Sequence, residues 1–505
     1  MTFPMKQKRS AGCAQMRKEI ICLRQIASGT QSCQAPQRLR GWGVEVGLPT
    51  LFFYGEMNRK IMKTEKTAIT LIKFCIPLIL SGILQQLYNW ADAFIVGNVA
   101  GENALAAIGS TTTIINLFLT AITGFTLGLS ILFAQKFGGG KKDQISKTLS
   151  VFTVVLGCAF LLVPAAGIPG AYPLLRTMNT TPETIHMAKN YLQIILIGIP
   201  FLAVYNVYTS ALRGIGNSRA SFGSVLCSSV VNVVLDLIFV GMMRWGAAGA
   251  AAATVISQAV MTAFIILYSV KKHPCLCFSI KKWSMDDAVL KEGLHLGIPP
   301  MIQSCISSFG SLILQNFMNG FGTQTVAAIT TAYRVDTIIL LPVINLGSGI
   351  STMVAQNHGA GKRKQISKIV CAGTVMMIGV SLILTCLVLG TGGYLISMFG
   401  ISPESAEIGK NFFQRIAAFY VVYGIAMSIR GYTEGIGDVL FSSISGIAAL
   451  VSRIIFSYAF AGLCGNMIIA YAEAGSWGVL FFLYLIRILW RQKTGIPPQK
   501  AFSKS

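Results

Sequence analysis

The chain has 505 residues, 53% of them hydrophobic and 12% charged, with 51 Gly and a mean hydropathy of +0.64. A soluble domain carries about 25% charged residues, so these values argue against a soluble enzyme. Disordered, collagen-like and disulfide-dense secreted chains are excluded as well, because the apolar content is high, no Gly-X-Y period exists and 12 Cys in 505 is sparse.

In chain order, the first 56 residues hold eight Lys/Arg and three Glu and lack an apolar run long enough to cross a membrane. They read as a basic leader, disordered or upstream of the natural start at Met57 or Met62, and the leader is placed at 1–66. From Thr67 onward, apolar runs of the roughly 20 residues needed to cross a bilayer recur with short breaks. Twelve spans are predicted, at about 68–97, 104–135, 147–168, 186–212, 219–243, 246–270, 293–320, 325–356, 368–390, 406–430, 438–462 and 465–490. They group as a first lobe over 67–272, a linker over 273–292, a second lobe over 293–492 and a tail over 493–505.

The charge imbalance, 41 Lys+Arg against 18 Asp+Glu, lies mostly in the loops. The loops after spans 2, 4, 6, 8 and 10 hold sixteen Lys/Arg; the opposite loops hold Arg176 and Arg244. The positive-inside rule then puts both termini in the cytoplasm. No basic-aromatic stripe points to nucleic acid. Cysteines are scattered as small span fillers, with no C-x-x-C pair, and His273, Cys275 and Cys277 form too small a group for a metal reading.

The chain repeats itself. SILFAQKFGGGKKDQISK at 130–147 matches STMVAQNHGAGKRKQISK at 351–368 with ten identities in eighteen and no gap. Ile76-Pro77 pairs with Ile298-Pro299, and Leu212-Arg213-Gly214 resembles Ile429-Arg430-Gly431. Six spans separate each pair, so both halves run the same way through the membrane. The expected fold is therefore an all-α polytopic membrane protein, twelve transmembrane helices in two six-helix lobes related by a pseudo-two-fold axis along the membrane normal. That is an architecture of alternating-access transporters.

Ionisable residues at membrane depth are expensive and mark function. Gln85, Tyr88, Asn89 and Asp92 fall at i, i+3, i+4 and i+7 of the first span, one helical face. Asn232 and Asp236 lie four apart in the fifth, with Ser229 on the same stripe. Two carboxylates with amide and hydroxyl oxygens can share protons or hold a small hard cation. Arg334 and Asp336 are expected to pair with each other or with water, and Arg453 with Glu473 to bridge two spans. No nucleophile–base pair or metal cluster suggests an enzyme.

With those residues and the stretches DAFIVG, ALRGIGNSR, NVVLD, GAAGAAAATVISQ and RGYTEGIGD in order, the chain resembles the multidrug and toxic compound extrusion (MATE) family over residues 66–490. The resemblance implies export of cationic, amphipathic organic compounds in exchange for H⁺ or Na⁺. Carried over by position, it assigns the cation site to Asp92, Asn232 and Asp236, with Thr254 as hydroxyl ligand. Some branches place a Glu in span 7 and an Asp in span 10; residues 297–320 here contain no acid, and span 10 has Glu407 only near its start. Gln85, Tyr88, Asn89, Tyr205 and Tyr208 are expected to line an adaptable substrate cavity.

The expected protein is thus a plasma-membrane, multi-pass antiporter. It has no cofactor beyond its coupling ion, works as a monomer among membrane lipids, and does not bind nucleic acid. The alternative is a lipid or lipid-linked oligosaccharide flippase of the same two-lobe plan, which would want a cationic cavity for phosphate.

Overall fold

The structure is a computed structural model that describes residues 48–178, 180–278 and 287–494, with side chains from Thr67 to Lys493. Two compact units divide the chain, Met1–Lys66 and Thr67–Ser505. In the first unit residues 48–66 are helical, and the rest of the expected leader, residues 1–47, lies outside the described ones. The expected start at Met57 or Met62 falls within that helix.

Helices dominate the second unit because, in hydrocarbon, a helix alone can satisfy every backbone N–H and C=O within one segment. The first lobe holds α1 (Thr67–Val99), α2 (Glu102–Gly138), α3 (Lys142–Thr177), α4 (Ile185–Gly214), α5 (Arg219–Asp236) and α6 (Gly246–Lys272). The second holds α7 (Asp287–Asn319), α8 (Thr323–Ile339), α9 (Leu341–Gly359), α10 (Arg363–Ser397), α11 (Pro403–Ile416), α12 (Tyr420–Gly435), α13 (Val439–Ala459), the single turn α14 (Ala461–Cys464) and α15 (Ile468–Thr494). Among the described residues, eleven helices are long and apolar enough to cross a membrane, and the bent pair α8–α9 supplies the twelfth span.

Three expected spans are interrupted. Between α8 and α9 the axis bends by 41°. Pro342, in the first turn of α9, lacks the N–H that would bond Ile338 and crowds that carbonyl. In the tenth span Ala417–Phe419 tightens to a 3₁₀ turn, where the Thr385 hydroxyl donates to the Ala417 carbonyl at 2.8 Å and draws it out of the helical ladder. The fifth span continues past Asp236 as a π-helical segment, Leu237–Met242. The linker is also shorter than expected, because α7 already begins at Asp287 and Pro274–Leu276 forms a 3₁₀ turn.

The repeat extends to the backbone. Glycines with left-handed φ, a conformation that disfavours any Cβ, terminate matching helices 221 residues apart: Gly101 (85°) and Gly322 (87°), Gly140 (73°) and Gly361 (69°), Gly216 (91°) and Gly437 (93°). This register corrects one sequence alignment. Gly214, the last residue of α4, corresponds to Gly435 and not to Gly431, since α12 runs four residues beyond its Arg-Gly pair.

The lobes exchange their leading helices. Leu71, Phe74 and Leu78 of α1 join the apolar core of the second lobe around Val343, Leu346 and Ile350. Leu296 of α7 joins the first around Phe125, Leu129 and Phe152. Small residues let the backbones meet: a Cβ on Gly128 would overlap the Leu296 carbonyl, and one on Gly349 the Cys75 sulfur.

At the end of the bundle carrying the basic loops, the twin Ala-Gln segments face each other. The Gln135 side-chain amide donates to the Gly435 carbonyl at 3.1 Å, and that of Gln356 to the Gly214 carbonyl at 2.8 Å. Gly138 packs on the Gln356 carbonyl and Gly359 on the Gln135 carbonyl, with no room for a Cβ at either. The repeat thus forms a reciprocal contact that closes the basic end.

Candidate cation site in the first lobe

The fifth span brings Asn232 and Asp236 to one helical face, 1% and 0% exposed. Asp92 approaches them from α1, near enough for the Asp92 and Asp236 carboxyl groups to feel each other's charge. Neither carboxylate can donate to the other unless one is protonated. Asp92 Oδ1, both oxygens of Asp236 and both amide atoms of Asn232 are buried without a hydrogen-bond partner. An unsatisfied buried polar group costs about 1–3 kcal/mol, and hydroxyls elsewhere in the bundle commonly return to the carbonyl four residues back, as Ser229 does to Val225.

The donor set is oxygen-rich and hard, two carboxylates and an amide carbonyl, which suits either a shared proton or a small alkali cation. Thr254 is half buried on α6, the helix packed along α5, and no hydrogen bond joins its hydroxyl to the acids. Tyr88 lies near Gln85, Asp92 and Tyr205. Gln85 and Asn89 are exposed, and Tyr205 is buried with its hydroxyl 3.3 Å from Ser224 Oγ. Tyr208 is placed apart from the acids, in the lobe core next to Cys277.

One residue of this cluster was not singled out in the sequence. Tyr191 on α4 is 6% exposed and lies within electrostatic reach of Asp92, Asp236 and Tyr88. The available signal was its spacing of fourteen residues from Tyr205, nearly four helical turns and so the same side of α4.

The second lobe places a different arrangement at matching depth. Arg453, 221 residues after Asn232, donates to Glu473 at 2.9 Å and to the Tyr333 hydroxyl at 2.7 Å. The expected Arg453–Glu473 bridge is therefore present. Arg334 and Asp336 do not pair: two apart on a helix, they face different ways, Arg334 exposed and Asp336 buried, where it accepts from the Tyr420 hydroxyl. Glu407 is exposed beside Lys410. His273 faces Asn217 Nδ2 at 2.9 Å, and among the described residues no group of three His, Cys, Asp or Glu could hold a metal ion.

Twelve spans in two repeated lobes, with an unsatisfied acid pair inside one of them, define a membrane transport protein. The chain matches the MatE family over residues 77–238 and 299–459 and belongs to it. It is 30% identical over 396 residues, 78% of this chain and 87% of the other, to a Bacillus subtilis (strain 168) protein described as probable multidrug resistance protein YpnP. It is 23% identical over 408 residues, 79% of this chain and 90% of the other, to multidrug export protein MepA of Staphylococcus aureus (strain N315). Its fold superposes with a TM-score of 0.79 on a multidrug resistance MATE family transporter solved in an outward-facing conformation, at 21% identity over 85% of this chain and 97% of that one.

Proposed function

We propose that this protein is a cation-coupled antiporter of the plasma membrane that exports cationic, amphipathic organic compounds, exchanging each for H⁺ or Na⁺ by alternating access. The observation that carries the proposal is the cluster of orphaned oxygens at Asp92, Asn232 and Asp236. A site whose own residues leave four buried oxygens unsatisfied is stabilised by an incoming cation, and the lobe arrangement that encloses it is favoured by the same amount. A ligand shifts a conformational equilibrium only through such differential affinity.

In this reading the basic end faces the cytoplasm, where the excess of Lys and Arg belongs. The coupling cation binds Asp92 and Asp236 from outside, neutralises their mutual repulsion and favours release of the reciprocal glutamine contact. Drug enters from the cytoplasm beside Tyr88 and Tyr205 after the cation departs. The names of the YpnP and MepA relatives, both connected with multidrug resistance or export, support the substrate class.

The test is ethidium transport in proteoliposomes under an imposed pH gradient or an imposed Na⁺ gradient, each alone. One gradient drives transport in the unmodified protein. Asp92→Asn and Asp236→Asn each reduce it to the rate of protein-free vesicles with unchanged reconstitution. Undiminished transport in both variants overturns the assignment.

A further inference from the structure

The two-fold repeat should make two like crevices at the basic end, one on each side of the lobe contact. They differ in charge. On the second-lobe side four basic groups meet an acid: Lys136 Nζ meets Glu292 at 2.9 Å, Arg430 Nε meets Glu434 at 2.6 Å, and Asp438 takes Arg487 at 2.9 Å and Arg491 at 2.7 Å.

The first-lobe side is a crevice of about 440 Å³ between α1, the turn joining α4 to α5, α6 and α9, and Lys73, Asn217, Arg219, Thr352 and Gln356 line it. A smaller gap, sharing Phe74 and Thr352 with it, reaches Arg213. No Asp or Glu lines either space. Among the described residues none of Lys73, Arg213 and Arg219 has an ion-pair partner, and the buried Arg213 Nε has no hydrogen-bond acceptor.

The 221-residue register shows how the imbalance arises. Arg213 stands where the other lobe has Glu434, and Asn217 where it has Asp438. The surroundings do not soften it. Asn217 is held by Tyr268 at 3.2 Å and His273 at 2.9 Å, and burial lowers the His273 pKa from its ordinary value. The N-terminus of α5 opens on the crevice at Ser218 and Arg219, adding the positive end of an eighteen-residue helix.

We propose that this crevice binds a phosphoryl group. Two cations of the crevice and a third in the adjoining gap more than offset the charge of a phosphate dianion, and the Tyr268 hydroxyl and the second hydrogen of the Gln356 amide supply neutral donors. Lys73, Arg213 and Arg219 belong to the first lobe and Thr352 and Gln356 to the second, so a bound phosphate bridges the lobes and holds the basic end closed. The phosphate comes from a free cytoplasmic phosphomonoester or from the headgroup of an anionic lipid.

The experiment measures binding to the purified full chain in dodecyl maltoside, and needs no transport activity. The probes are inorganic phosphate, glycerol 3-phosphate, dihexanoyl phosphatidic acid and dihexanoyl phosphatidylcholine. Binding of inorganic phosphate or glycerol 3-phosphate, with or without phosphatidic acid, marks a free source; binding of phosphatidic acid alone marks a lipid source, and either supports the site. In the Arg213→Gln/Arg219→Gln double variant affinity falls roughly tenfold or more, as expected for loss of two charge-assisted contacts. Arg213→Lys/Arg219→Lys recovers part of it, and Arg363→Gln, outside the crevice, leaves it unchanged. The melting temperature of each variant is followed in parallel. Absence of binding by inorganic phosphate, glycerol 3-phosphate and phosphatidic acid alike, equal binding by the double variant, or binding of phosphatidylcholine as tight as that of phosphatidic acid overturns the proposal.

Discussion

At the scale of single residues, the two lobes answer the same problem in opposite ways. Asn232, Asp236 and Asp92 leave buried oxygens open, whereas Arg453 fills the corresponding place with its own guanidinium, bonded to Glu473 and Tyr333. Removing one member of a buried pair strands the other and costs about 3–5 kcal/mol, whereas replacing both with apolar residues is often neutral. Glu473→Gln is therefore expected to lower the melting temperature of the detergent-solubilised protein by several degrees, and Arg453→Leu/Glu473→Leu to regain most of it. The acid cluster was legible because Asn232 and Asp236 lie four apart in an otherwise apolar helix. The bond between Asp336 and Tyr420 was not: it joins helices 84 residues apart, and no local spacing encodes which helices meet.

At the scale of helices, the length and hydropathy of each run set the spans, and loop charges marked the two ends. The breaks were harder to read. Pro342 was a visible signal for the bend in the eighth span, but the 3₁₀ turn at Ala417 depends on a hydroxyl from α10, a tertiary partner. Close helix contacts likewise depend on what the glycines meet. A methyl group on Gly138 or Gly359 runs into the facing glutamine carbonyl, and overpacking of this kind costs about 1–3 kcal/mol. Gly138→Ala and Gly359→Ala are each expected to speed amide hydrogen exchange in peptides covering 135–145 and 356–366 at the basic end. Unchanged exchange in both would show that the lobes yield without separating.

At the scale of the whole molecule, the Ala-Gln repeat was visible as a duplication, but its use was not, because each copy bonds the opposite lobe. Gln135 and Gln356 each contribute one hydrogen bond across the boundary, worth about 1 kcal/mol apiece. Gln135→Leu/Gln356→Leu should therefore move the closed-to-open ratio at the basic end by roughly 30-fold. Hydrogen exchange reports this as faster exchange of the Gly214 and Gly435 segments, and the single variants give intermediate rates. Repetition also made the architecture legible before any coordinates, since two copies of one pattern in the same orientation leave few ways to pack.

The 221-residue register has an evolutionary corollary. Identical subunits pairing about an axis would have to present the same side chain at both copies of a position, so neither could change alone. Joining the halves in one polypeptide lifts that restriction, and the substitution that sets an arginine opposite an asparagine becomes available to one half only. Splitting the chain after Lys272 and pairing two first halves would restore identical residues on both sides of the axis and, with them, two buried acid clusters in place of one.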